Sequence, residues 1–95
     1  MSKTEFIDWD IQNYLKTPEQ RAAYLNAAIE DNDPYYLQVA LGDLARAEGM
    51  SKVAEEAHLS RESLYRSLGE NGNPAFRTVL TILEVMGLKL TVAPR

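Results

Sequence analysis

Residues 50–68 constrain the fold of this chain more than any other stretch, because they match two short helices joined by a tight turn. The apolar periodicity predicts a first helix over Lys52–Ala57 and a second over Arg61–Leu68. Ser60 is a good N-cap, because its hydroxyl can accept from the free N–H groups two or three residues further along. Ala54 is small enough for the helices to cross closely. This pattern is typical of a helix-turn-helix, whose second helix lies in the major groove of DNA.

The turn between these two helices predicts an unusual backbone conformation at His58. Many helix-turn-helix sequences have glycine at this position, because the chain there needs a positive φ angle. Residues other than glycine are uncommon with positive φ, but histidine is one of those enriched there. We therefore expect the backbone of His58 to be left-handed and the residue to have a structural role in the turn.

The second predicted helix separates apolar residues from polar ones. Leu64 and Leu68 fall on one side of it. Arginine can pair with O6 and N7 of guanine, and glutamate can accept from N4 of cytosine. The polar side therefore predicts a surface that reads DNA, with an ordinary solvated helix face as the alternative. Its residues are Arg61, Glu62, Tyr65 and Arg66.

Length and composition predict one globular domain, spanning residues 1–95. The 95 residues, 45% of them hydrophobic and 25% charged, suit a single modest core. The chain has no cysteine, which excludes disulfide and thiolate chemistry. It also shows neither a signal peptide nor the roughly 18 consecutive apolar residues of a membrane span. We therefore expect a soluble cytoplasmic protein.

Charge divides the sequence into two unequal halves. Residues 1–49 contain nine acidic and four basic residues, a net charge of −5, whereas residues 50–95 carry a net charge of +1. The predicted DNA-reading helix lies in the second half, and phosphate binding depends on local rather than total potential. The acidic half indicates either a second, basic partner or a solvated surface that aids solubility.

Two further helices have recognisable starts. Thr17 is the predicted N-cap of the first, with Pro18 at its first position and Gln20 completing a capping box. Asp33 and Pro34 repeat this start, and Gly49 should end the second of these helices. We expect Tyr35 and Tyr36 to pack against the body. The predicted buried residues are Ala22, Leu25, Ala28 and Ile29 in one helix and Leu37, Ala40, Leu41 and Leu44 in the other.

A last helix should follow the turn at residues 69–73. We expect Asn73 to cap it, Pro74 to start it and Gly87 to end it. The N-terminus of this helix could hold a DNA phosphate, helped by Asn71, Asn73 or Arg77, with a simple surface charge as the alternative for Arg77. The predicted apolar stripe is Phe76, Val79, Leu80, Leu83 and Met86.

The two ends of the chain are predicted to be extended. Residues 1–16 should form an arm that lays Trp9 against the body, and residues 88–92 alternate like a short strand. A single strand needs a partner, which could be the arm, a second subunit or another protein. The predicted fold is therefore mainly α, with about five helices and a short C-terminal strand.

The sequence offers no arrangement for catalysis. Its single histidine lies in a turn, and no serine or aspartate is paired with a base at a recognisable spacing. Metal-ligand spacings and a glycine-rich phosphate loop are also absent from the sequence. We therefore expect a binding protein without an enzymatic activity, a metal or a cofactor.

Three stretches together resemble a known family. They are ALGDLARAEGMSKVAEEAHLSRESLYRSL (40–68), GNPAFRTVL (72–80) and LEVMGLKLTV (83–92), and the acidic stretch over 17–34 also fits. The sequence is similar to the small helix-turn-helix antitoxins of the HigA type. Within these it resembles the addiction-module antidote proteins and probable prophage regulators, which share a lambda-repressor-like fold.

The resemblance implies a bacterial antitoxin of a type II toxin–antitoxin module. Such proteins bind a small RelE/ParE-family toxin and repress their own operon at double-stranded operator DNA. We expect a homodimer, because helix-turn-helix repressors read paired half-sites. A solitary prophage-type regulator without a toxin is the alternative. By resemblance, Ser51 and Lys52 would touch phosphate. The DNA-facing residues would be Ser60, Arg61, Glu62, Tyr65 and Arg66.

Overall fold

Five α-helices pack around one apolar core in residues 14–95, which are the residues that the computed structural model describes. This confirms the predicted mainly α fold. α1 packs on α2, and α3 contacts α2, α4 and α5. The helices are α1 (Pro18–Glu30), α2 (Pro34–Glu48), α3 (Met50–Glu56), α4 (Arg61–Ser67) and α5 (Phe76–Val85).

The core takes one fully buried aliphatic side chain from each of the last four helices. Leu44, Val53, Leu64 and Ile82 have no solvent exposure, and Leu15 before α1 joins them. Burying such a side chain contributes roughly 1.5–3 kcal/mol to folding. The predicted arm falls mostly outside the described residues, which exclude Trp9.

The predicted starts of α1 and α2 are confirmed by their hydrogen bonds. The N–H of Gln20 donates to the Thr17 hydroxyl at 3.1 Å, and the Gln20 side chain accepts from the N–H of Thr17 at 3.1 Å. The carboxylate of Asp33 accepts from the N–H of Tyr35 at 2.9 Å. Each bond satisfies a backbone group that the first turn of a helix leaves free.

Gly49 both ends α2 and precedes α3. Its φ of 118° is accessible to glycine and strained for other residues. The predicted end of this helix at Gly49 is therefore confirmed. The positive φ lets the chain start α3 without an intervening loop, so that Met50 and Val53 turn into the core.

Three residues predicted to pack inside are exposed instead. Ile29 is 42% exposed, Tyr35 50% and Tyr36 51%. The core lies against the side of α2 that carries Ala40, Leu41 and Leu44, and no described element covers the opposite side. Helical spacing identified the two helices correctly, but the extent of each buried face was set by its neighbours.

The predicted start of the last helix is also wrong, because α5 begins at Phe76 and not at Pro74. Ala75 is the N-cap residue and provides no side-chain hydrogen bond. The preceding segment packs so closely on the end of α4 that a Cβ at Gly72 would lie 2.3 Å from the carbonyl oxygen of Arg66. The chain therefore runs extended past α4 before it can turn into a helix.

Two members of the predicted α5 stripe lie outside the core. Phe76 is 66% exposed and Leu80 41% exposed. At 100° per residue both fall at the outer edge of the arc that α5 turns towards α3. The buried residues of α5 and its end are Ile82, Leu83 and Met86.

Residues 88–92 form no strand in the described part of the chain, which corrects the predicted C-terminal strand. Gly87, at φ 82°, ends α5 as predicted, and the N–H of Leu88 donates to Leu83 at 2.8 Å. This bond completes the helix cap, and the residues that follow meet no second strand among residues 14–95.

Candidate nucleic-acid interface

α3, the turn after it and α4 form a compact unit held by backbone hydrogen bonds. His58 has a φ of 59°, which confirms the predicted left-handed conformation. Its N–H donates to Glu55 at 3.2 Å, and the N–H of Leu59 donates to Ala54 at 2.9 Å. The side chain of His58 is exposed, so this residue serves the turn through its backbone.

α4 is fixed in orientation by its cap and by its buried side. The N–H of Ser63 donates to the Ser60 hydroxyl at 3.0 Å, which confirms the predicted N-cap. Leu64 is fully buried, and Leu68 after the helix is 7% exposed. Because this apolar side is held in the core, the opposite side of α4 faces solvent.

The solvent-facing side of α4 holds two arginines in defined positions. Arg61 Nη2 donates to the Tyr65 hydroxyl at 3.2 Å, and its guanidinium carbon lies 5.4 Å from the centre of that ring. Cation–π contacts of this kind contribute about 0.5–1 kcal/mol at exposed sites. The guanidinium plane of Arg61 is thus partly oriented in advance, while Glu62 beside it is exposed.

Ser63 supports the second arginine, and the sequence analysis missed it. Arg66 Nη2 donates to the Ser63 hydroxyl at 3.4 Å, and that oxygen also accepts from the Ser60 hydroxyl at 3.0 Å. The spacing of three residues between Ser60, Ser63 and Arg66 places them along one side of α4. That spacing was the available signal.

The loop after α4 is tied to α2 by a side-chain hydrogen bond. The side-chain amide of Gln38 on α2 donates to the carbonyl of Gly69.

Asn73, in the extended run that follows, is exposed and does not cap α5. Arg77 lies in the first turn of α5, and its guanidinium group has no partner within residues 14–95. The free N–H groups of α5 and this charge lie together at one helix end.

Lys52 at the start of α3 is already engaged in an ion pair. Its Nζ lies 2.5 Å from Glu48 Oε2, and Arg21 Nη2 lies 2.9 Å from Glu48 Oε1. The hydrogen bond from Lys52, opposed by partial burial and reinforced by Arg21, holds the pKa of Glu48 below its ordinary value. Glu48 therefore stays ionised at neutral pH.

All of the residues predicted to contact DNA have exposed side chains, although they come from different elements. Ser51 and Lys52 lie in the first turn of α3, five residues belong to α4 or its cap, and the last two lie beside or in α5. The residues of the last two groups are Ser60, Arg61, Glu62, Tyr65, Arg66, Asn73 and Arg77.

Comparison with known proteins identifies the family to which this chain belongs. A family model described as "Probable addiction module antidote protein" matches residues 5–94. The chain therefore belongs to the addiction-module antidote family. It is also 38% identical over 85 residues to an uncharacterised protein of Haemophilus influenzae, an alignment covering 90% of this chain and 88% of that protein. The search of solved structures found no match.

The comparison supports an antitoxin of the toxin–antitoxin type, as the resemblance implied, without distinguishing the HigA type. Among residues 14–95, no helix is long and apolar enough to cross a membrane.

Proposed function

We propose that this protein is the DNA-binding antitoxin of a type II toxin–antitoxin module, of the HigA type. It neutralises a RelE/ParE-family toxin by direct binding and represses its own operon in the cytoplasm. The observation that carries the proposal is the family match over residues 5–94. The exposed arginines of α4 support its DNA-binding part. We propose no catalytic activity for the chain.

In this proposal α4 of the helix-turn-helix reads base edges in the major groove of the operator. Arg61 and Arg66 would each pair with a guanine, and Glu62 would accept from a cytosine. Tyr65 orients Arg61 and can donate to a phosphate or contact a thymine methyl group. Ser60, at the N-terminus of α4, would lie close to the DNA backbone.

Phosphate contacts on either side of α4 would fix the register of the protein. Ser51 and Lys52 would supply one group and Asn73 and Arg77 the other. Lys52 would have to share its charge with Glu48, from which it is 2.5 Å away. The side chain of Arg77, which has no partner within residues 14–95, needs no such exchange.

We propose a homodimer, because one short helix reads only a few base pairs. Two copies would bind symmetric half-sites about one helical turn apart. The candidate dimer surfaces are the outer side of α5, where Phe76 and Leu80 are exposed, and the segment at residues 88–92.

A growth assay tests the proposal directly. The open reading frame adjacent to this gene is induced alone and then together with this chain, and operon repression is followed with a promoter reporter. We expect arrest by the neighbour, rescue by this protein and repression of the promoter. No arrest, or arrest without rescue, would remove the antitoxin function. Promoter repression without arrest would identify a solitary prophage-type regulator.

A further inference from the structure

The outer side of α2 exposes three large apolar side chains in one group, which we call the tyrosine patch. It consists of Tyr35, Tyr36 and Val39, which are 50%, 51% and 38% exposed. The two rings are inclined at 56° with their centres 6.0 Å apart. Tyr35 and Val39 are four residues apart and therefore neighbours on the helix surface. None of these side chains is fully buried in the core.

Two shallow grooves meet at Val39 and extend the patch. One groove lies towards α1 and is lined by Tyr36, Ala27 and Asp31 among others. The other lies towards the loop after α4 and is lined by Tyr35 and Leu68. The exposed rings are thus flanked on both sides by concave surface, which suits insertion of side chains from another protein.

The border of the patch is acidic. Asp31 lines the groove towards α1, and Glu30 precedes it at the end of that helix; neither carboxylate has an ion-pair partner within residues 14–95. Asp43, on the same side of α2, accepts from the Tyr24 hydroxyl at 2.5 Å and pairs with Arg46 at 3.0 Å. Arg46, the cation at this border, is therefore already neutralised by Asp43, and the remaining charge of the border is negative.

We propose that the tyrosine patch is the docking surface for the toxin, a basic protein that places an apolar side chain in a groove and Lys or Arg beside Glu30 and Asp31. The assignment of a toxin rests on the proposed function. Tyrosine is enriched at the energetic centres of protein interfaces, and complementary charge at the border accelerates association.

Charge distinguishes this occupant from three others. DNA would be repelled by the same carboxylates. A second copy of the chain would bring the same acidic border into the interface, with no unpaired cation in the patch to offset it. The segment before residue 14 carries three acidic residues and one basic residue, so it would add negative charge.

The first test removes the rings. Tyr35→Ala combined with Tyr36→Ala should weaken binding to the purified product of the adjacent open reading frame by about 30-fold or more, measured by biosensor. Tyr14→Ala is the matched control, because it removes a tyrosine ring of similar exposure, 47%, from outside the patch. Operator DNA binding, measured on the same preparations, should be unchanged in the tyrosine variant and shows that it is folded.

The second test removes charge without removing volume. Glu30→Gln with Asp31→Asn should slow association with the same protein and reduce the dependence of its rate on salt. Glu55→Gln with Glu56→Gln is the control, because it neutralises two adjacent exposed carboxylates on α3. An equal effect of both pairs would mean that total charge matters and not this border, and would overturn the proposal.

The remaining outcomes are also distinct. Unchanged affinity in the tyrosine variant would overturn the docking surface and leave the antitoxin function standing. Conversion of a dimer into a monomer by the same variant, seen by sedimentation, would assign the patch to a second copy and overturn the proposal. Failure of the wild-type chain to bind the neighbouring product would remove the toxin-binding function and this inference together.

Discussion

The α1–α2 half and the α3–α5 half of this molecule expose opposite kinds of surface. Residues 14–49 contain six acidic and three basic residues and expose the tyrosine patch, whereas residues 50–95 contain five acidic and six basic residues and expose the two arginines of α4. DNA requires local positive potential, while a protein partner is held by apolar contact with complementary charge around it. The difference shows how one small core can support two binding surfaces.

The side chain of Arg21 is one of those that connect the two halves. The guanidinium of Arg21 donates to the carbonyls of Leu15 at 3.2 Å and Met86 at 3.3 Å, and it pairs with Glu48 at 2.9 Å. It therefore joins the segment before α1 to the ends of α2 and α5. Mutations on one surface should separate the two functions, and mutations at this junction should weaken both.

The largest expected effect is a loss of operator affinity, caused by a change confined to the α3–α5 surface. Arg61→Ala with Arg66→Ala should lower operator affinity by about 2–6 kcal/mol, because each good bidentate contact contributes about 1–3 kcal/mol. Toxin binding should be unchanged. Fluorescence anisotropy with operator DNA measures the first quantity, and Lys16→Ala with Arg95→Ala is the control that removes two exposed cations away from α4. Equal losses in both variants would indicate non-specific charge attraction only.

The next effect tests the junction. Arg21→Ala should lower the free energy of unfolding by about 2–4 kcal/mol, because it leaves largely buried acceptors and Glu48 without their partner. Denaturant titration measures the change. Arg46→Ala, which breaks a more exposed pair with Asp43, should cost less than about 1 kcal/mol. Similar values for the two variants would contradict the special position of Arg21.

Acidification should weaken the same junction. The pKa of Glu48 is lowered in the folded state, so its contribution to stability is present at neutral pH. That contribution is lost as the pH falls from the ordinary glutamate value, about 4.3, through the lowered one. We expect Tm to fall more between pH 7 and pH 3 in the wild type than in Glu48→Gln. Parallel Tm curves for the two proteins would argue against this role.

The smallest expected effect is a change in stability at the two turns that contain a left-handed residue other than glycine. His58 and Asn32 are the residues other than glycine with positive φ, at 59° and 61°, in the described part of the chain. His58→Gly should raise the free energy of unfolding by about 0.5–1 kcal/mol, since the left-handed conformation is strained for most side chains. Asn32→Gly should change it less, because asparagine tolerates this conformation. Thermal unfolding of both variants shows which of the two turns is more strained. A larger gain in stability for Asn32→Gly than for His58→Gly would contradict our expectation.

Much of the local structure could be predicted because its causes are local. The capping box of Thr17, the cap at Asp33, the left-handed turn at His58 and the cap at Ser60 each depend on residues within a few positions. The solvent-facing side of α4 followed from the helical period of its leucines.

Two of the errors have their origin outside the helix concerned. Gly72 lies against carbonyls at the end of α4, so α5 begins later than its Asn-Pro signal predicted. Tyr35 and Tyr36 looked like packing residues, but no described element covers that side of α2. A stripe of apolar residues predicts a helix and its approximate face, while the width of the buried arc depends on neighbours.

The sequence alone determined where most helices start, how the turn at His58 bends and which half of the chain is acidic. These properties depend on backbone sterics, nearby hydrogen bonds and composition. Only the tertiary structure showed that Arg21 joins three segments and that the tyrosines beside α1 stay exposed. Each of these depends on which helices lie side by side, and local sequence does not specify that arrangement.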